Sequence, residues 1–228
     1  MSFVHSTGFA ELHLHLEGTV DQETVMMLDP LLTRAEVDRV WGFTDFGGFL
    51  DCFKFVARRL RGPADYALVT RRMIEGLARQ GITYAEVTVG AGVVQWLGYD
   101  FDRVWRAIRD AQLEAQKRWP VEVWWNLDAI RQLGPEHVMD IARLTARYVG
   151  DGVVSFGIGG DELRGPASSF RKAYQYARDA GLRLTIRIFC GDCARNGFRW
   201  KCALRATCEL ARLSLCWGIR CGVWWMLG

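Results

Sequence analysis

The segment Phe9–Val20 reads FAELHLHLEGTV and places His13 and His15 two residues apart in a short run with β-strand character. Side chains two apart on a strand share a face. The two imidazoles therefore face one way, while Leu12, Leu14 and Leu16 face the other. Zinc takes neutral imidazole nitrogens at about 2.0–2.1 Å, and a same-face pair on a rigid strand preorganises two ligands. Two histidines do not make a site by themselves, and a pair of ordinary polar side chains fits the bare string as well. Glu17, just beyond, reads either as a substrate contact or as the start of a loop.

Downstream, short apolar runs rich in β-formers alternate with longer segments of helical period, the pattern of a parallel α/β sheet. Strands are predicted at Ala10–Leu14, Thr83–Val89, Val121–Asn126, Val153–Ile158 and Leu182–Ile186. Helices are predicted over 46–60, 63–80, 101–117, 134–148 and 166–180. Pro63 with Asp65, Asp100 with Asp102, Pro135 with Glu136, and Pro166 with Ser168 and Ser169 open the last four. Gly181 follows the last as a C-terminal cap. Five such units suit a doubly wound sheet or an incomplete (β/α)8 barrel. A glycine-rich dinucleotide fingerprint is missing after the first strand, and the histidines stand in its place. Barrels carry their reactive groups at C-terminal strand ends, which favours a TIM-barrel fold of about five of its eight units.

GIGGDE, Gly157–Glu162, ends the fourth strand with backbone open to close approach and with Asp161 and Glu162 beside it. Acids before a helix are also favoured by the helix dipole alone. Trp124 and Trp125 read as core and rim packing, and Met26 and Met27 as core filler.

At 228 residues and 50% hydrophobic, the chain is long enough for one sizeable core. A charge-free apolar run of membrane-spanning length is missing, and MSFVHSTGF lacks the basic start and apolar stretch of a secretory signal. The expectation is a cytoplasmic protein without membrane partners. Composition breaks near residue 188. Residues 188–228 hold six arginines and lysines against Asp192 and Glu209, while residues 1–187 carry a net charge of −1. Six of the seven cysteines also fall after 188, only Cys52 preceding them. Cys190-x-x-Cys193 invites a zinc or redox reading, but the spacings that follow match no finger pattern. The chain therefore divides into a barrel part, 1–187, and a Cys/Trp/Arg-rich tail, 188–228, that is not a domain.

Taken together these strings resemble the adenosine deaminase family of zinc-dependent (β/α)8 hydrolases. ELHLHLEGTV is similar to its first strand, FLDCFKFVARRL (Phe49–Leu60) to its early helix, and YAEVTVGAG (Tyr84–Gly92) to its second strand. VVSFGIGGDE (Val153–Glu162) resembles the strand that ends in a substrate-contacting glycine, and GLRLTI (Gly181–Ile186) the approach to the next. The resemblance implies His13 and His15 as ligands of Zn2+, with His15, Glu17 and Gly160 against the substrate: Glu17 at the ribose and Gly160 at the purine. It implies hydrolytic deamination of an adenine-containing nucleoside, in which zinc lowers the pKa of bound water from 15.7 toward ~7. Two departures, Gly157 in place of an acid and VTVGAGV without arginine or proline, resemble the aminodeoxyfutalosine deaminase branch, which acts on a menaquinone precursor. 6-Aminodeoxyfutalosine is favoured as substrate, adenosine next.

The family continues after LTI with a third metal-binding histidine and, three residues on, a general-acid glutamate. Here those positions are Arg187 and Cys190, and no histidine follows His137. Arginine is not deprotonated in proteins and cannot replace a histidine ligand. The break in motif coincides with the break in composition, which points to a shifted reading frame. Trp224-Trp225-Met226 can only be encoded TGGTGGATG, and reading from its third base gives Val-Asp. Extended back through the preceding residues, that frame permits the Gly-His-Gly that the family carries next. On this reading the chain as written is inactive. The competing reading is a non-catalytic truncated paralogue whose basic, tryptophan-rich tail binds a partner; nucleic acid is disfavoured because the aromatics and cations show no regular interleaving. A helix is predicted over 201–215.

Overall fold

Parallel strands need a crossover between each pair, usually a helix, so the order of elements decides whether a sheet can curl in sequence order. The computed structural model of the chain describes residues 8–160 and 165–186. Five strands, β1 (Phe9–His15), β2 (Ile82–Val89), β3 (Glu122–Ile130), β4 (Val153–Gly159) and β5 (Arg183–Ile186), pair in parallel in sequence order. Between β1 and β2 run α1 (Gln22–Leu28), α2 (Arg34–Trp41), α3 (Phe46–Ala57) and α4 (Pro63–Arg79). Next come α5 (Ala91–Trp96) and α6 (Phe101–Gln116) before β3, α7 (Gly134–Ala146) before β4, and α8 (Arg171–Asp179) before β5.

The two faces of this sheet differ in chemistry. Trp125 of β3 is fully buried against Trp105 of α6, their rings 5.9 Å apart, and its Nε1 donates to Gln112 Oε1 at 2.7 Å. Gln112 in turn donates to the Val123 carbonyl, locking α6 to the strand. Alternate side chains then face the opposite way, where Ser155 Oγ of β4 donates to Asn126 Oδ1 of β3. On that face Arg183 of β5 reaches Glu86 of β2 at 3.8 Å. These strands are three ladder steps apart, at about 4.7–4.9 Å each in a flat sheet. The polar face is therefore concave, as in a closing barrel.

The incomplete α/β barrel is thus as predicted, with differences in detail. Three helices, α1, α2 and α5, were not predicted. α1 and α2 carry readable starts: Asp21 accepts from Thr24 N, and Thr33 with Glu36 forms a reciprocal capping box. β3 runs four residues past the predicted end at Asn126. The helix predicted from 166 begins instead as a 3-10 turn, Ala167–Phe170, with α8 following. Leu12, Leu14 and Leu16 do not share a buried face. Glu11 pairs with Ala85 and Leu14 with Val87, so β1 carries one extra residue, a bulge that leaves Leu12 45% exposed while Leu14 and Leu16 are buried. Met27 is 53% exposed and is not core filler, whereas Met26 packs on the core. Trp124 is half-buried and donates to Glu122. Asp161, Glu162, Arg187, Cys190, the tail 188–228 and its predicted helix over 201–215 lie outside the described residues.

His137 of α7 accepts a hydrogen bond at Nε2 from the Ile130 N–H at the end of β3, at 3.4 Å. α5 packs so closely on both groups that a Cβ on Gly92 would lie 2.8 Å from each. Burial lowers the His137 pKa, with Asp140 opposing it. A depressed folded pKa means that the unfolded chain binds the proton more tightly. This contribution to stability is complete above the unfolded value of about 6.5 and is lost as pH falls below it toward the depressed folded value. Urea titrations between pH 7.5 and 5 are expected to show a fall in stability that His137→Gln reduces. Trp125→Ala, which empties a fully buried indole site, is expected to cost about 3–5 kcal/mol in the same measurement at neutral pH.

Candidate active site

His13 and His15 lie at the C-terminal end of β1, where the parallel sheet opens. Their ring centroids are 6.1 Å apart and tilted by 54°. With nitrogen-to-zinc distances of about 2.0–2.1 Å, rings at this separation can each offer a nitrogen to one ion. The donor type and reach therefore fit zinc. The donor count does not reach a full set, because among the described residues no three His, Cys, Asp or Glu side chains are grouped to hold a metal. His15 also packs edge-on against Phe53 of α3, centroids 6.3 Å apart, so the early helix backs the histidine pair.

The ladder continues past His15, with Leu16 N donating to the Thr88 carbonyl at 2.8 Å. The chain then folds into a 3-10 turn, Glu17–Thr19, held by Thr19 N and Oγ1 on the Leu16 carbonyl. This turn brings Glu17 inward, to 1% exposure, where Oε1 accepts from Gly90 N at 2.9 Å. A Cβ at Gly90 would lie 3.2 Å from that oxygen and 3.1 Å from Val93, so glycine there leaves room for the carboxylate. Glu17 is thus neither a plain loop residue nor an exposed contact: it ties the mouth of β1 to the start of α5. Its charge and, more strongly, burial hold the Tyr66 hydroxyl well above its usual pKa. That hydroxyl has no hydrogen-bond partner among the described residues.

A cavity of about 250 Å³ opens beside this turn, lined among others by Glu17, Val20, Trp41, Phe49, Cys52 and Phe53. Burial pushes the Cys52 thiol up to about 11, which disfavours the thiolate. Gly160 follows β4 with φ +103, a backbone that L side chains rarely adopt. A Cβ there would lie 2.0 Å from Gln132 Oε1, so the Gln132 amide already occupies one side of this glycine.

The structure also places a residue that the sequence reading passed over. Asp128 lies on the concave face of β3, paired in register with Gly157 of β4, and is 7% exposed. Counting by two from Asn126 would have found it had the strand been carried to its true end.

The family profile described as adenosine deaminase matches residues 9–202. An adenine deaminase from Sinorhizobium fredii is 30% identical over 181 residues, covering 78% of this chain and 56% of that protein. An aminodeoxyfutalosine deaminase from Streptomyces avermitilis is 32% identical over 192 residues, covering 80% and 53%. Among solved structures, an amidohydrolase from Burkholderia ambifaria with bound zinc superposes with a TM-score of 0.72 at 26% identity, covering 80% of this chain and 52% of that one. The chain spans about half the length of these relatives. By the extent of the profile match and the order of its strands, the chain belongs to the adenosine deaminase family.

Proposed function

We propose that residues 9–186 form the first, metal-binding half of a zinc-dependent hydrolytic deaminase of 6-aminopurines. The observation that carries this reading is the pairing of His13 with His15 at the C-terminal end of the first strand of a curling parallel sheet. The zinc in the Burkholderia relative and the substrates named for the two bacterial deaminases support it. His13 and His15 would hold the ion, which supplies an activated water when bound. Phe53 restrains the His15 ring, and Glu17, fixed by the Gly90 amide, stands beside the pair at the ribose end. Gly160 meets the purine through its backbone. 6-Aminodeoxyfutalosine is the favoured substrate and adenosine the next, with adenine included by the names of the relatives.

Two protein ligands are fewer than the three that a catalytic zinc normally takes from protein, so zinc binds weakly. Zinc titration by calorimetry is expected to give a weak isotherm that the His13→Ala/His15→Ala double variant abolishes; identical isotherms would remove the site. With Arg187 and Cys190 at the positions of the third histidine and the general acid, the chain as written is expected to release no measurable ammonia from adenosine, adenine or aminodeoxyfutalosine. The missing acid alone costs about 10²–10⁴-fold. A form with codons reframed after Ile186 is expected to turn over at least one of the three. Zinc-dependent turnover by the chain as written would sink the broken-site reading, and silence from both would sink the deaminase assignment.

A further inference from the structure

The register of the sheet brings Asp128, Gly157 and Thr185 into one row across β3, β4 and β5. A Cβ built on Gly157 would lie 2.3 Å from Asp128 Oδ1 and 2.4 Å from Thr185 Oγ1. These distances are far inside any van der Waals contact, so the Asp128 carboxylate crosses β4 through the space that a side chain at 157 would fill. Gly159 is also close, its Cβ position 3.4 Å from Asp128 Oδ2. Gly157 has no positive φ to account for it. Its lack of a side chain serves the carboxylate from the next strand.

The Asp128 carboxylate lies on the concave, polar face, at the end of the sheet that also carries His13, His15 and Glu17. Burying a carboxylate is costly, and an ionised carboxylate only accepts hydrogen bonds. In this place it favours a ligand that presents an N–H or O–H and disfavours one that presents a lone pair. We infer that Asp128 is a ligand-binding residue of this site and accepts a hydrogen bond from a donor on the purine ligand. This rests on the deaminase reading proposed above. An adenine nucleoside has two such donors, the exocyclic amine and the sugar hydroxyls. Asp128 selects through whichever of them reaches the row between β3 and β4.

The test is equilibrium binding to the full chain in the presence of zinc, by calorimetry, so that turnover is not required. The ligands are adenosine, purine riboside, which lacks the amine, and 2′,3′-dideoxyadenosine and 5′-deoxyadenosine, which between them lack each of the sugar hydroxyls. Hydrogen bonds to charged groups contribute about 1.5–3 kcal/mol, or roughly 10–100-fold in affinity. Asp128→Ala is expected to weaken adenosine binding by that factor and to abolish the preference over the analogue that lacks the donor. The analogue whose disadvantage disappears identifies the donor. Asp128→Asn keeps the shape and a neutral acceptor, and is expected to lose part of the affinity; it decides the question where the alanine variant does not fold. Folded variants that bind adenosine like the unsubstituted chain would overturn the inference while leaving the deaminase reading standing. Failure of the unsubstituted chain to bind any of these purines would overturn the inference, and the turnover of the reframed form then decides the deaminase reading separately.

Discussion

The seating of α6 on β3 decides which side chains enter the interior of this half-barrel. Trp125 turns outward to Trp105 and donates to Gln112, and Gln112 is bonded to the backbone of the same strand. Once Trp125 is outward, the period of two sends Asn126 and Asp128 inward. The parallel register carries that parity to Ser155 and Gly157 on β4 and to Thr185 on β5. A slip of one residue would turn Trp125 into the concave face and bury the Asp128 carboxylate among the helices, so the packing of Trp125 holds the register in which the acid faces inward.

The alternating order of elements was legible because each strand and its helix announce themselves locally, by short β-forming runs and by caps such as Pro63 and Asp100. α1, α2 and α5 escaped because six to eight residues give too little periodicity to separate a helix from a loop. Only caps marked α1 and α2, at Asp21 and Thr33. The bulge in β1 was invisible for a different reason. It belongs to the pairing of β1 with β2, and nothing in ELHLHLE states that Leu12 falls outside the core.

The histidine pair was legible for the same local reason, since two residues suffice to place both rings on one side. Glu17 and Asp128 show the limit of that reading. Glu17 is close to the histidines in sequence, yet its bond runs to Gly90, seventy-three residues away. Asp128 gains its position from Gly157, an interaction between strands. The role of Gly160 was implied by the family resemblance of its string, and the approach of Gln132 to it depends on how the turn after β3 meets the end of β4.

Gly157 and Asp128 also constrain how this sheet can change over evolutionary time. The row across β3 and β4 has room for one inward side chain, and it is filled from β3. Moving that group to β4 requires the loss of the one before the gain of the other, or a passage through an overpacked intermediate. The two positions are therefore epistatic. Among sequences sharing this register they should covary, an acid or other large residue at one being matched by a small residue at the other. Under such covariation the mouth would keep one carboxylate in this row whichever strand supplied it.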